Sequence, residues 1–354
     1  MYSEIEIRRF RSFEQFRIDG LRRINLLVGM NNTGKTSLLE AVFLLGGASN
    51  PVFPMTIAQL RGQKLGGALP DPIWRSLYRN FDPSESIEIA GRWNDEPEQR
   101  QLSVEALAVS AYSDFSEPLA VGTGAADEIS IGGLRLRYQP AQGNPIVTEA
   151  VFDPKTGNVN APSQQRTDFV RSTYLSARAY SSLARDAEQF SYLVKIKREQ
   201  EVVDALKIVD DSIKRFEIVS EAGASTIYAD IGLSALAPLA VCGEGMVRLF
   251  SIVVEMTASR GGVLLVDEID NGLHHSVMEK FWLVLRKMVE THDVQVFATT
   301  HNEELIESAL RAFEDDLSVL GLFRLDRRNG KRTVASYNEA ALRGVEAEKF
   351  EVRG

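Results

Sequence analysis

The sequence predicts an α/β fold with a mixed sheet, in which an antiparallel β region and a helical insertion divide a parallel core. Three observations carry this. An apolar strand, a glycine loop and a helix follow one another near the N-terminus; strands and helices alternate from about residue 243 onward; and the stretch between reads first as short β runs, then as helix. Such alternation implies a mainly parallel sheet. The expected organisation is one unit over 1–354. It comprises N-terminal strands and the glycine loop in 1–45, a β-rich lobe or insertion in 46–179, a helical insertion in 180–232 and the second half of the core in 233–354.

The elements follow in order. Ile5 and Ile7 alternate with Glu4, Glu6 and Arg8, and Phe13, Phe16 and Ile18 continue as a second extended piece. Ile24–Val28 is a nearly continuous apolar run, as in a strand buried on both faces. Leu38, Leu39, Val42 and Phe43 then take helical spacing within Ser37–Leu45. Four β-like runs come next: Ile87–Trp93, Leu102–Val109, Ile129–Tyr138 and Ile146–Phe152. Gly132-Gly133 and Thr156-Gly157 are expected as turns or bulges. From Tyr180 to Val219 the apolar residues fall at helical spacing without sustained heptads. The last third alternates helix Met246–Met256, strand Val263–Val266, helix Val277–Val289, strand Val294–Ala298, helix Glu303–Ala312 and strand Leu317–Leu325. Asn329-Gly330 then turns into Thr333–Ser336.

Composition narrows the class. With 354 residues, 44% hydrophobic and 25% charged, the chain can build a core and is not expected to be disordered. No apolar run approaches the roughly 20 residues of a membrane span, and Met1–Arg17 lacks the apolar segment of a signal peptide. The single cysteine, Cys242, permits no internal disulfide and favours a cytoplasmic location. Forty basic against 49 acidic residues repel nucleic acid overall, so any such contact needs a local patch. Arg8, Arg9 and Arg11; Arg22 and Arg23; and Lys195, Lys197 and Arg198 are the basic clusters available, and solvated surface is their ordinary role.

Gly29-Met30-Asn31-Asn32-Thr33-Gly34-Lys35-Thr36 matches G-x-x-x-x-G-K-[ST] at every fixed position, between a strand and a helix. Glycines let the backbone turn tightly, so that successive N–H groups point at phosphate oxygens. The helix N-terminus, entered through Thr36 and Ser37, adds its positive dipole end. Lys35 supplies a cation for the β- and γ-phosphates, and the Thr36 hydroxyl offers a Mg²⁺ ligand. The fold expected is therefore that of a P-loop NTPase. Val263–Val266 ends in Asp267-Glu268, where the first carboxylate can hold Mg²⁺ and the second can orient or deprotonate water. Thr299-Thr300-His301 follows the next strand, at the edge where open α/β sheets bind ligand, so that His301 can meet a γ-phosphate. His274 and His275 have no metal-ligand spacing and are expected to be structural or dimer-facing.

Taken together, Ile5–Phe13 (I-x-I-x-x-F-R-S-F), Asn25–Glu40, Cys242–Ile252, Leu264–Leu273 and Thr299–Leu305 resemble the ABC-type ATPases of the SMC/RecF/OLD branch, and most of all the stand-alone bacterial OLD-like ATPases. The resemblance implies an ABC-ATPase head that hydrolyses ATP with Mg²⁺, the nucleotide being sandwiched between two heads placed head to tail. It makes Asp267 the Walker B aspartate, Glu268 the catalytic glutamate, Asp270–Leu273 the D-loop and His301 the switch histidine, and brings Arg11 toward the nucleotide. Gln59 and Gln63 are candidates for a Q-loop by distance alone. The signature segment departs from L-S-G-G-Q. It reads Val241-Cys242-Gly243-Glu244-Gly245, keeping the glycines Gly243 and Gly245 and the helix start but bringing a carboxylate where phosphate would sit.

For partners, the resemblance implies self-association as an ATP-dependent homodimer or higher oligomer, and no membrane. The span from Thr36 to Val263 is too short for long coiled-coil arms, and an appended TOPRIM nuclease is not expected. An effector such as a nuclease is therefore expected on another polypeptide, in bacterial antiviral defence. The alternative is a RecF-like repair ATPase that binds DNA. A transporter subunit would need a membrane partner and a standard signature, and a GTPase would need the N-K-x-D motif that the chain lacks.

Overall fold

The run Ile24–Val28 forms strand β3, and all five of its residues are buried. Only its one polar member requires a partner. Asn25 donates through Nδ2 to the Arg22 carbonyl at 2.7 Å and to the Val296 carbonyl at 3.1 Å, which makes its burial tolerable. The computed structural model describes every residue except 49, 64–70, 94, 95, 97, 109–129, 154, 155, 157, 162–169, 178–182, 222, 329 and 349–354. Val109, Ile129, Gly157, Tyr180 and Asn329, each part of an expected run or turn, lie outside the described residues.

The remaining strands are β1 Tyr2–Phe10, β2 Phe13–Asp19, β4 Ile87–Trp93, β5 Arg100–Ala108, β6 Ile131–Gln139, β7 Ile146–Asp153, β8 Asn158–Asn160 and β9 Ser172–Leu175. They continue as β10 Arg215–Glu221, β11 Ala224–Asp230, β12 Ala237–Pro238, β13 Val263–Val266, β14 Gln295–Thr299, β15 Leu320–Arg328 and β16 Lys331–Tyr337. The helices are α1 Lys35–Gly46, α2 Phe53–Leu60, α3 Asp71–Arg75, α4 Leu183–Lys195 and α5 Glu199–Leu206. After them come α6 Glu244–Ala258, α7 Met278–His292, α8 Glu303–Ala312 and α9 Glu339–Glu348.

A six-stranded sheet in the order β16-β15-β3-β14-β13-β9 forms the centre. From β15 to β9 its strands are parallel, and only β16 runs antiparallel, on β15. Residues alternate between its two buried faces. Ile24, Leu26, Leu264 and Val266 pack with α4–α8, whereas Leu27, Leu265 and Phe297 pack with α1 and the second sheet. That second sheet is antiparallel and seven-stranded, in the order β2-β1-β4-β5-β6-β7-β8. The strands of the β-rich segment thus extend the N-terminal hairpin, and β9 returns the chain to the central sheet. Gln295 ties the two sheets: its side chain accepts from Tyr2 N at 2.8 Å and donates to the Tyr2 carbonyl at 2.8 Å.

One local expectation is corrected. The helical reading to Val219 ends early: α5 stops at Leu206, and Arg215–Glu221 pairs as a strand with Ala224–Asp230. There Phe216 and Ile218 alternate with charged neighbours, a period-2 pattern that the long helical window averaged away. Helices α2 and α3, with eight and five residues, are too short to register among their prolines and glycines. Of the alternatives for Gly132-Gly133, the bulge is found inside β6, where Leu107 pairs with Gly133 but Ala108 with Ile131.

Candidate functional site

Strands β3, β13 and β14 end at one edge of the central sheet, and the segments that follow them meet in a cleft of about 620 Å³. Its walls hold Asn31, Asn32, Gly34, Lys35, Thr36 and Ser37 from the glycine loop, Asp267 and Glu268 after β13, and His301 after β14. Arg11 joins them from the β1–β2 turn. Segments more than 200 residues apart in sequence thus converge where the topology of parallel sheets places ligands.

The loop's conformation explains its composition. Gly29 has φ 128°, and a Cβ there would stand 2.3 Å from the Leu325 carbonyl oxygen, so only glycine fits. Gly34, at φ 109°, is the N-cap of α1, and Lys35, Thr36 and Ser37 of the helix's first turn line the cleft. Thr33 is buried and donates to the Met30 carbonyl at 2.9 Å, which ties the loop to itself. Lys35 Nζ donates to the carbonyls of Gly29 at 2.6 Å and Met30 at 2.9 Å. Burial pushes the Lys35 ammonium below its usual value, and the carboxylates of Asp267 and Glu268 oppose that shift.

The carboxylates are held in distinct ways. Asp267 accepts from Thr299 Oγ1 at 2.6 Å and from Thr36 Oγ1 at 3.1 Å. A threonine hydroxyl beside a carboxylate is a set of hard oxygen donors, and that set suits Mg²⁺. Glu268 has φ 48°, a costly conformation for a side-chain-bearing residue. The Thr299 hydroxyl accepts its N–H at 2.8 Å, and Asn271 donates to its carboxylate at 3.0 Å. Asp270 accepts from Thr300 at 2.7 Å and is not among the cleft-lining residues.

Other expected residues lie elsewhere. Gly243 and Gly245, at the start of α6, do not line this cleft. Gly245 packs on the 270–273 loop so closely that a Cβ would sit 2.7 Å from the Gly272 carbonyl oxygen. Gln63 lines the cleft, whereas Gln59 sits exposed on α2. His274 caps the short turn His275–Val277, and its ring lies 4.0 Å from that of His275 at a 40° tilt.

Two arginines went unnoticed in the sequence. Arg61 lines the cleft and forms a two-pronged ion pair with Glu40 at 2.6 and 3.0 Å. Arg248, buried in α6, donates to the carbonyl oxygens of Asp267 at 2.7 Å and Ser176 at 3.1 Å. For Arg248 a signal existed, a lone arginine on the apolar face of a helix. For Arg61 there was none, because its partner is 21 residues away.

A phosphate loop, a carboxylate pair on the neighbouring strand end and a threonine–histidine segment on the next define a P-loop ATPase of head type. The protein is an ATPase, and it belongs to the family described as "AAA domain, putative AbiEii toxin, Type IV TA system", which matches residues 24–307. It is similar to an ATP/GTP phosphatase of Helicobacter pylori, 23% identical over 329 residues, 87% of each chain. It is also similar to an uncharacterized protein of Methanocaldococcus jannaschii, 32% identical over 94 residues, 27% of this chain and 82% of the relative. Among solved structures it matches an Smc head bound to the C-winged helix domain of ScpA. There the TM-score is 0.54 at 13% identity, over 97% of this chain and 99% of that one. The fold is therefore that of an SMC-type ATPase head.

Proposed function

We propose that the chain binds ATP with Mg²⁺ in this cleft, hydrolyses it and closes head to tail on a second copy, so that nucleotide state gates a separate effector. Loop N–H groups and Lys35 hold the β- and γ-phosphates, and Thr36 and Asp267 are the residues to hold the metal. Among the described residues of the cleft wall, Arg11, Lys35 and Arg61 are matched by Glu40, Asp267 and Glu268, which leaves no surplus positive charge for a triphosphate. Bound Mg²⁺ supplies that charge. Glu268 takes the proton from the attacking water, with Asn271 and the Thr299 hydroxyl fixing its position. His301 faces the terminal phosphate.

The observation that carries the two-headed reading is where the glycines of the signature stand. Gly243 is exposed at the N-terminus of the 15-residue helix α6, an anion-favouring position, yet it is absent from its own chain's cleft. A second copy can bring it to a γ-phosphate. A family description that names a toxin–antitoxin system supports a two-part arrangement, and with it the defence role. Sedimentation of Glu268→Gln with and without ATP tests this: ATP should raise the dimer fraction above that of wild type. A dimer fraction indifferent to ATP in both proteins contradicts it.

A further inference from the structure

Resting on the cleft as the ATP site, we infer that Arg61 contacts the terminal phosphate and makes the site prefer ATP over ADP, with Glu40 as its positioning residue. Thr36 and Glu40 are four residues apart on α1 and share one helix face. Glu40 therefore lies about 6 Å along the axis beyond the residue that faces Asp267. Its carboxylate is only 2% exposed, and it takes two cations at once: Arg11 Nε at 2.7 Å and the Arg61 fork at 2.6 and 3.0 Å.

Two guanidiniums on one carboxylate leave a net positive charge on this wall of the cleft. The two arginines differ in exposure. Arg11 is 11% exposed, and its Nη1 also donates to the Ser76 carbonyl at 3.1 Å. Arg61 is 39% exposed, sits just past the end of the eight-residue helix α2 and lies within electrostatic reach of Asp267. Helix α2 is in turn anchored on α1 by the stacked rings of Phe43 and Phe53, 4.4 Å apart. Arg61 is thus the guanidinium held on a defined tether, facing the cleft and able to reach an added phosphate without stranding Glu40, which keeps Arg11.

Equilibrium binding of ADP and of the slowly hydrolysed analogue adenylyl imidodiphosphate, both with Mg²⁺, tests the inference on the full chain. Arg61→Ala should weaken the triphosphate by about 10-fold or more, the worth of a charge-assisted hydrogen bond, and change ADP affinity by less than about 3-fold. Arg61→Lys should recover part of the difference, since it keeps charge but loses the fork. Glu40→Gln should also narrow the triphosphate-to-diphosphate ratio, although both arginines remain. Equal losses for both nucleotides, or an unchanged ratio, overturn the inference while leaving the ATP site standing. Failure of the site itself reads differently: Lys35→Ala would then bind both nucleotides as wild type does.

Discussion

Thr36 and Asp267, 231 residues apart in the chain, meet across the cleft, the threonine hydroxyl donating to the carboxylate at 3.1 Å. The pair joins the two halves of the ATPase core, because Thr36 lies in the first turn of α1 and Asp267 follows β13. Its other anchors come from different elements again: Thr299 holds the Asp267 carboxylate, and Arg248 holds the Asp267 carbonyl.

Lys35→Ala removes the cation that lies against the loop carbonyls and should abolish measurable ATP binding, with the fold retained. Titration with a fluorescent nucleotide and a circular dichroism spectrum together check this.

Gly29→Ala should be as damaging as loss of the lysine. The added methyl would meet backbone, the Leu325 carbonyl oxygen at 2.3 Å, at a φ that alanine avoids. Nucleotide affinity should fall by at least about 10-fold and the urea midpoint should drop, whereas Gly20→Ala, with no atom within 4 Å, serves as the strained-φ control.

Arg248→Met tests the link from α6 to the Asp267 segment. The substitution keeps the apolar stem but leaves the Asp267 and Ser176 carbonyls without their donor. Leaving buried acceptors unpaired costs about 1–3 kcal/mol, to be read from denaturant unfolding. Hydrolysis should slow more than ATP binding weakens, since Asp267 and Glu268 lose their backbone anchor.

Burial pushes the His292 imidazole below its usual value of 6.5, with Glu201 opposing. The unfolded chain then binds more protons than the folded one just below pH 6.5, so stability rises with pH through that window and is complete above it. Melting temperature should fall as pH drops from 7 toward 5. His292→Gln, which does not titrate, should flatten that slope; an equal slope in the variant would assign it to other groups.

The sequence disclosed the central sheet because buried parallel strands are short apolar runs, and Ile24–Val28 and Val263–Val266 carry that mark within five residues. The glycine loop was legible for a related reason: Gly29 and Gly34 take positive φ, a backbone demand that few other residues meet. Long-range pairing left no such trace. Nothing local in β4 says that it will lie beside β1, nor does α2 announce that Arg61 will fork onto Glu40. The β10–β11 hairpin was hidden because Ile213 continues a helical spacing that the backbone had already left.

Glu268→Gln is the most direct test of the mechanism. The substitution preserves shape and the Asn271 contact but removes the base. Steady-state hydrolysis with Mg²⁺ should fall about 10²–10⁴-fold, while ATP affinity stays within about 3-fold of wild type. Wild-type turnover in Glu268→Gln would contradict the account and move the search for the base to another group in the cleft.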